Sequence, residues 1–190
     1  MNSPEVVDAL TAVTAGEWDS LAGGDPFLSH EFLTALHESG CASAATGWTP
    51  QYILLRKNGA LEAALPLYLK THSYGEYVFD WAWADAYYRH GVEYYPKLLS
   101  AVPFTPVTGP RLLAATDEAR DRLVAAALAL ARELRVSSLH CLFATREEAQ
   151  RMVAHGMMSR TTIQFHWANR GYGSFDEFLT ALHESGCASA

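Results

Sequence analysis

The sequence predicts an α/β fold with a central mixed sheet, and three observations predict it. Lys57-Asn58-Gly59 lies between two apolar runs. Asn-Gly accepts the positive φ of a tight hairpin turn, so Gln51 to Arg56 and Ala60 to Lys70 read as paired strands. Thr116 precedes an acidic first turn and a stripe of Leu123, Ala127, Leu130 and Leu134, with Arg132 and Arg135 near the end, the pattern of an amphipathic helix. After two opening helices the elements run hairpin, strand, helix, helix, strand, helix, strand, helix, an alternation that builds α/β layers.

Each element has its own signal. Glu5 to Val13 is apolar enough for a strand or a helix, and local pattern does not separate the two. Thr14 and Glu17 are spaced as a capping box, opening a helix through Trp18 and Leu21 that ends at Gly23-Gly24. Asp25-Pro26 is a turn. Ser29 caps a second helix with Phe32, Leu33 and Leu36 on one face, closed by Gly40. Small residues make Cys41 to Pro50 a loop. Tyr77 to Trp81 reads as a third strand, and Trp83 to Leu99 as a region containing a helix broken near Gly91 and by Pro96. Pro103, Pro106 and Pro110 keep Pro103 to Leu113 extended. Ser137 to Ala144 is a short buried-type strand. Thr145 and Glu148 form a second capping box for a helix stopping at Gly156, Met158 to Trp167 is a strand, and Ser174 caps a last helix.

Composition bounds the function. With 190 residues, 49% hydrophobic and 18% charged, the chain holds one well-buried domain. A net charge of −7 argues against a nucleic-acid backbone or an anionic membrane as main partner. Three dispersed cysteines without a CxxC, a start without a signal-peptide pattern and no apolar run near 18 residues point to a reduced, cytoplasmic setting without a membrane span. His140, Cys141, His155 and His166 lack the paired spacing of zinc ligands, so no metal is expected, and His140 reads as a hydrogen-bonded core histidine.

The candidate site lies in Glu76 to Leu113, where rings alternate with charges. Ligand sites are apolar walls with a few aimed polar groups, and Trp81, Trp83, Tyr87 and Tyr95 supply such walls. The same rings also serve ordinary cores. Asp80 and His90 are the candidate proton acceptors. Burial beside rings would raise the Asp80 carboxyl toward neutrality, and histidine is the residue type whose ordinary value lies near neutrality. Asp85 is a further polar contact or a helix cap. Lys97 and Arg111 suit a phosphate or carboxylate, or a solvated face, while Thr105 and Thr108 add hydroxyls to the wall.

Glu31 to Ala44 and Glu177 to Ala190 are the same fourteen residues, EFLTALHESGCASA. Structural repeats keep a pattern and lose the letters, so this is a recent duplication or an assembly error rather than an array. We expect residues 1–176 to form one lobe and 177–190 to stand where a further lobe would continue.

Several stretches carry a family resemblance: DPFLSHEFL (Asp25 to Leu33), GWTPQ (Gly47 to Gln51), LPLYLKTHSYGEYVFDWAWADAY (Leu65 to Tyr87), YYPKLLSAVPFTPVTGPRLL (Tyr94 to Leu113) and QFHWANRGY (Gln164 to Tyr172). On these the chain resembles the bacterial FemAB-like group, predicted N-acyltransferases or peptidoglycan biosynthesis/recognition proteins of the GNAT superfamily. The resemblance implies a GNAT-like sheet, mostly antiparallel and flanked by helices, as the first of two lobes. It also implies transfer of an acyl or aminoacyl group from acyl-CoA or an aminoacyl-tRNA to a small-molecule or peptide amine. The GNAT pyrophosphate turn would fall at Leu113 to Glu118, which has no glycine and carries Asp117 and Glu118, so no cofactor is expected in this lobe. A rival reading is a binding module for peptide or sugar, and a third is an inactive product. Acyl-CoA binding discriminates between the first two. An uncovered lobe interface would expose apolar surface, so self-association is expected.

Overall fold

Helix starts follow the caps read from the sequence. The computed structural model describes residues 3–78 and 80–184. A strand β1 (Glu5–Val7) and a 3-10 turn at Leu10–Ala12 divide the undecided run between them. Thr14 then accepts from the Glu17 amide while the Glu17 carboxylate accepts from the Thr14 amide, opening α1 (Ala15–Ala22). Ser29 caps α2 (His30–Glu38) through the Phe32 amide.

The strands β2 (Trp48–Pro50), β3 (Tyr52–Lys57), β4 (Ala60–Leu65) and β5 (Tyr68–Lys70) come next. Asn58 and Gly59, both at positive φ, make the turn between β3 and β4. There follow α3 (Trp81–Arg89), β6 (Lys97–Ser100), β7 (Leu113–Ala114) and α4 (Asp117–Glu133). The last elements are β8 (Leu139–Cys141), α5 (Arg146–Ala154) and α6 (Phe175–Glu184).

The class is mixed α/β and mostly antiparallel, and the strands divide into two sheets, ordered β1-β3-β4-β7 and β2-β5-β6-β8. Among the described residues β6 and β8 pair in parallel, and Gly109 and Ala144 form an isolated parallel bridge. One bent hairpin supplies two neighbouring strands to each sheet. Its register runs from Trp48↔Lys70 through Pro50↔Tyr68 to Ile53↔Leu65 and Ala63↔Leu55. Between the sheets the Gln51 amide donates to the Leu67 carbonyl at 2.7 Å. Pro66, without an amide proton, marks the bend where one long expected strand becomes β4 and β5.

Both faces are covered. Trp18, Leu28, Leu33, Trp48, Tyr52, Leu54, Tyr68 and Leu99 form a core under α1 and α2. Ile53, Leu55, Leu65, Leu98, Leu123, Val124, Ala127 and Leu130 form a second core under α4. The alternation along Tyr52-Ile53-Leu54-Leu55 feeds both, which is why β3 reads as a continuous apolar run.

Other expectations are corrected. Tyr77 to Trp81 is not a strand: Tyr77 turns into the left-handed region (φ 57°), and Phe79 lies outside the described residues. The loop Cys41 to Pro50 ends in β2, and the region expected to be helix and break ends in β6. Both strands are short and owe their existence to partners distant in sequence. At α5, Thr145 caps the Glu148 amide, but the Glu148 carboxylate accepts from the Arg111 and Leu112 amides instead of closing a box. Leu134 leaves the α4 stripe as its C-cap and is exposed.

The chain divides into two compact units, Met1–Ser159 and Arg160–Ala190. The expected strand from Met158 to Trp167 is not found, since those residues form no strand. Ser174 caps α6 through the Glu177 amide at 3.2 Å, and Phe178 meets the rings of Trp167, Tyr172 and Phe175. Among the described residues no helix is long and apolar enough to cross a membrane.

Candidate functional site

Strand register builds the site. Trp48, Lys70 and Lys97 stand side by side across β2, β5 and β6, and Tyr68, Leu99 and His140 occupy the next row on the same face. Two buried lysines directly opposite one another repel, and like charges at such positions are destabilising. The segment after β5 brings their counter-charges. Lys97 Nζ donates to Glu76 Oε2 at 2.8 Å, to Ser73 Oγ at 3.0 Å and to Asp80 Oδ2. The Tyr94 hydroxyl donates to the same Asp80 oxygen at 2.8 Å and lies 3.5 Å from His140 Nε2. Lys70 Nζ sits 3.7 Å over the Trp48 ring and donates to the Tyr74 carbonyl at 3.3 Å.

Lys70, Lys97, Glu76 and Asp80 are all buried. Glu76 Oε1 and Asp80 Oδ1 have no hydrogen-bond partner among the described residues. Burial raises the Glu76 carboxyl, even against the nearby Lys97 charge. Burial also works to raise Asp80, but hydrogen bonds from Lys97, Ser73 and Tyr94 outweigh it and hold that carboxyl below its ordinary value. The expectation that the rings would push Asp80 toward neutrality is thereby corrected: its partners at Oδ2 favour the anion.

Burial brings the Lys70 amine down from 10.5 to about 8, with Glu76 opposing and Lys97 adding to the shift. The unfolded chain therefore holds this proton more tightly than the folded one. The Lys70 contribution to stability is full above the unfolded value and is lost as pH falls through about 8. Between pH ~7.5 and ~9.5 the unfolding free energy should rise by about 2 kcal/mol relative to a Lys70→Met variant, measured by urea denaturation at each pH. Parallel curves for the two proteins would contradict it.

The other residues read from the sequence distribute around this cluster. The Tyr95 hydroxyl meets Ser73 Oγ at 2.7 Å, and Tyr87 packs edge-on against Tyr94 with ring centres 5.2 Å apart. Trp81 and Trp83 project outward, 61% and 55% exposed. Asp85 is exposed and ion-paired with Arg89 on the next turn of α3. His90 caps the far end of α3, exposed, with Nδ1 donating to the Ala86 carbonyl at 2.7 Å. The nine residues of α3 separate Asp80 from His90, about 15 Å along the axis, so the two do not share one reacting atom.

Arg111 is fully buried and donates to the Leu142, Pro110 and Val107 carbonyls, so its guanidinium fastens backbone within the fold. Thr105 bonds back to the Pro103 carbonyl, and Thr108 is exposed. Glu76, Lys70, Ser73 and Tyr94 were missed as site residues. The signal for Lys70 lay in the hairpin, whose register carries it to the far end of the paired run. Among the described residues no group of three or more His, Cys, Asp or Glu is placed to hold a metal.

Beside the cluster is a surface depression of about 550 Å³, lined by Ala84, Tyr88, Gly91, Val92, Glu93, Tyr94 and Tyr95. Tyr94 is shared, its ring lining the depression and its hydroxyl reaching Asp80. The model of the FemAB_like family, described as peptidoglycan biosynthesis/recognition, matches residues 9–186. The chain belongs to the FemAB-like family. No curated protein and no solved structure matches it. The match spans both α2 and α6, so the cluster of this FemAB-like chain lies well inside the matched region. The family's description ties the chain to peptidoglycan biosynthesis or recognition.

Proposed function

We propose that this FemAB-like chain holds the amine acceptor for transfer of an acyl or aminoacyl group in the building of a cytoplasmic peptidoglycan precursor. The observation that carries this reading is the carboxylate pair Glu76 and Asp80, each with one oxygen on Lys97 and the other buried without a hydrogen-bond partner among the described residues. An ammonium group offers three N–H donors, and unspent carboxylate oxygens are its natural acceptors. For transfer, the amine gives up a proton and its lone pair forms the C–N bond to the donor carbonyl. The C–S bond of acyl-CoA, or the C–O bond of an aminoacyl-tRNA, then breaks and the donor leaves with that electron pair. Asp80, kept anionic, suits anchoring, and Glu76, raised by burial, suits taking the proton. Tyr87 packs against Tyr94, and Tyr95 bonds to Ser73, at the edge of the cluster.

The acidic first turn of α4 favours a second reading, binding without transfer. Thr116, Asp117 and Glu118 present a cap and two carboxylates where a CoA pyrophosphate would need bare amides. One assay separates the two. The protein is incubated with a lysine-containing stem peptide and either acetyl-CoA or aminoacyl-tRNA, and the peptide mass is followed. Transfer should fall about 10²-fold or more in Glu76→Gln, which removes the group that takes the proton. An unchanged rate removes Glu76 from the reaction, and peptide binding with no product from either donor leaves the binding reading.

A further inference from the structure

The depression beside α3 has properties of its own that the amine-acceptor reading does not use. It is lined by Tyr88, Tyr94 and Tyr95 with Gly91, Val92 and Ala84, and among the described residues its one charged lining residue is Glu93. Its volume falls within the usual range of small-ligand sites, about 300–1,000 Å³. Two of the rings are fixed from beneath, Tyr94 by Asp80 and Tyr95 by Ser73. Fixed rings lose little freedom when a ligand arrives, which favours binding. The third ring, Tyr88, is 83% exposed on a helix that buries none of its residues. Nothing in the packing of the fold calls for an aromatic ring there.

Charge narrows the ligand. On α3, Asp85 and Arg89 pair with each other, and among the described residues no cation lines the depression. A phosphate or a peptide carboxylate would find no counter-charge there, and would meet Glu93. Tyrosine rings present an apolar face with a polar edge. A neutral sugar ring has the same division, with C–H groups on its faces and hydroxyls around its rim. Glu93 supplies an acceptor for a hydroxyl or an N-acetyl amide proton.

We propose that this depression is a saccharide subsite for a neutral N-acetylated hexosamine, stacked on Tyr88 against Tyr94 and Tyr95. The proposal rests on the peptidoglycan reading and deepens it, assigning the sugar part of the ligand to α3 and leaving the amine to Glu76 and Asp80. Helical geometry provides a control. Tyr88 lies on the Ala84 side of α3, while Trp83, five residues earlier, is turned about 140° away around the axis.

The test uses the intact chain and the N-acetylglucosamine tetrasaccharide, which carries the sugar without peptide or transferable amine. Calorimetric titration should give saturable binding with Kd on the order of 1 mM. Tyr88→Ala should weaken it at least 10-fold, and Trp83→Ala should leave it unchanged. Three outcomes overturn the subsite: no saturation by about 10 mM sugar, equal binding by wild type and Tyr88→Ala, or self-association of the protein that Tyr88→Ala abolishes while sugar has no effect. Because no transfer is measured, loss of the subsite leaves the acceptor reading standing. Loss of transfer chemistry likewise leaves the subsite standing.

Discussion

Replacing Lys97 by methionine is expected to destabilise the protein by about 3–5 kcal/mol, read from the urea midpoint at neutral pH. The substitution keeps most of the length of the side chain and removes the charge that both Glu76 and Asp80 use. Two buried carboxylates then face each other with Lys70 as their remaining cation, and Lys70 donates elsewhere, to the Tyr74 carbonyl. The sign with pH is fixed by Asp80. In the native protein its carboxyl is held below the ordinary value, so its contribution is present above the unfolded value of 3.8 and is lost as pH falls through the folded one. Without Lys97 both carboxylates prefer the proton, so the deficit of the variant should shrink as pH falls toward about 4. Adding Asp80→Asn to Lys97→Met should recover part of the loss, because one of the stranded charges goes with it. Fully additive losses would mean that Lys97 and Asp80 act independently, against their shared contact.

The second large effect uses the duplicated segment as its own control. Leu33 and Leu179 occupy the same place in identical runs, EFLTALHE, and both runs are helical. Leu33 is completely buried in the core beneath α1 and α2, whereas Leu179 is 37% exposed. Leu33→Ala should cost about 2–5 kcal/mol, the sum of lost transfer energy and the cavity left behind. Leu179→Ala should stay within about 0.5 kcal/mol, as surface changes do. Equal costs for the two would show that α6 buries its apolar face as α2 does.

The same pair explains what could be read from the sequence. Helix formation in EFLTALHE is a local matter of caps and spacing, and Ser29, Thr116, Thr145 and Ser174 all begin helices where the sequence places them. Asn58-Gly59 is equally local. Burial is not: identical letters give a core leucine in one copy and an exposed one in the other. The strands β2, β6 and β8 have at most four residues and exist by pairing with segments distant in the chain. The site inherits that difficulty. Asp80 and Lys97 stood out as charges among rings. Their contact depends on β6 lying beside β5 and on Tyr77 breaking the strand expected there, neither of which has a local signature.

The bent hairpin has a consequence for how the molecule opens. Since β3 and β4 form the middle of one sheet and β2 and β5 one side of the other, the sheets share a single covalent ribbon, bridged at the bend by the Gln51–Leu67 hydrogen bond. Neither sheet can fray to its centre without pulling on the other. Slow amide exchange in the first unit should therefore follow one cooperative opening, with the Gln51 amide at the bend protected as strongly as those of Ile53 and Leu54.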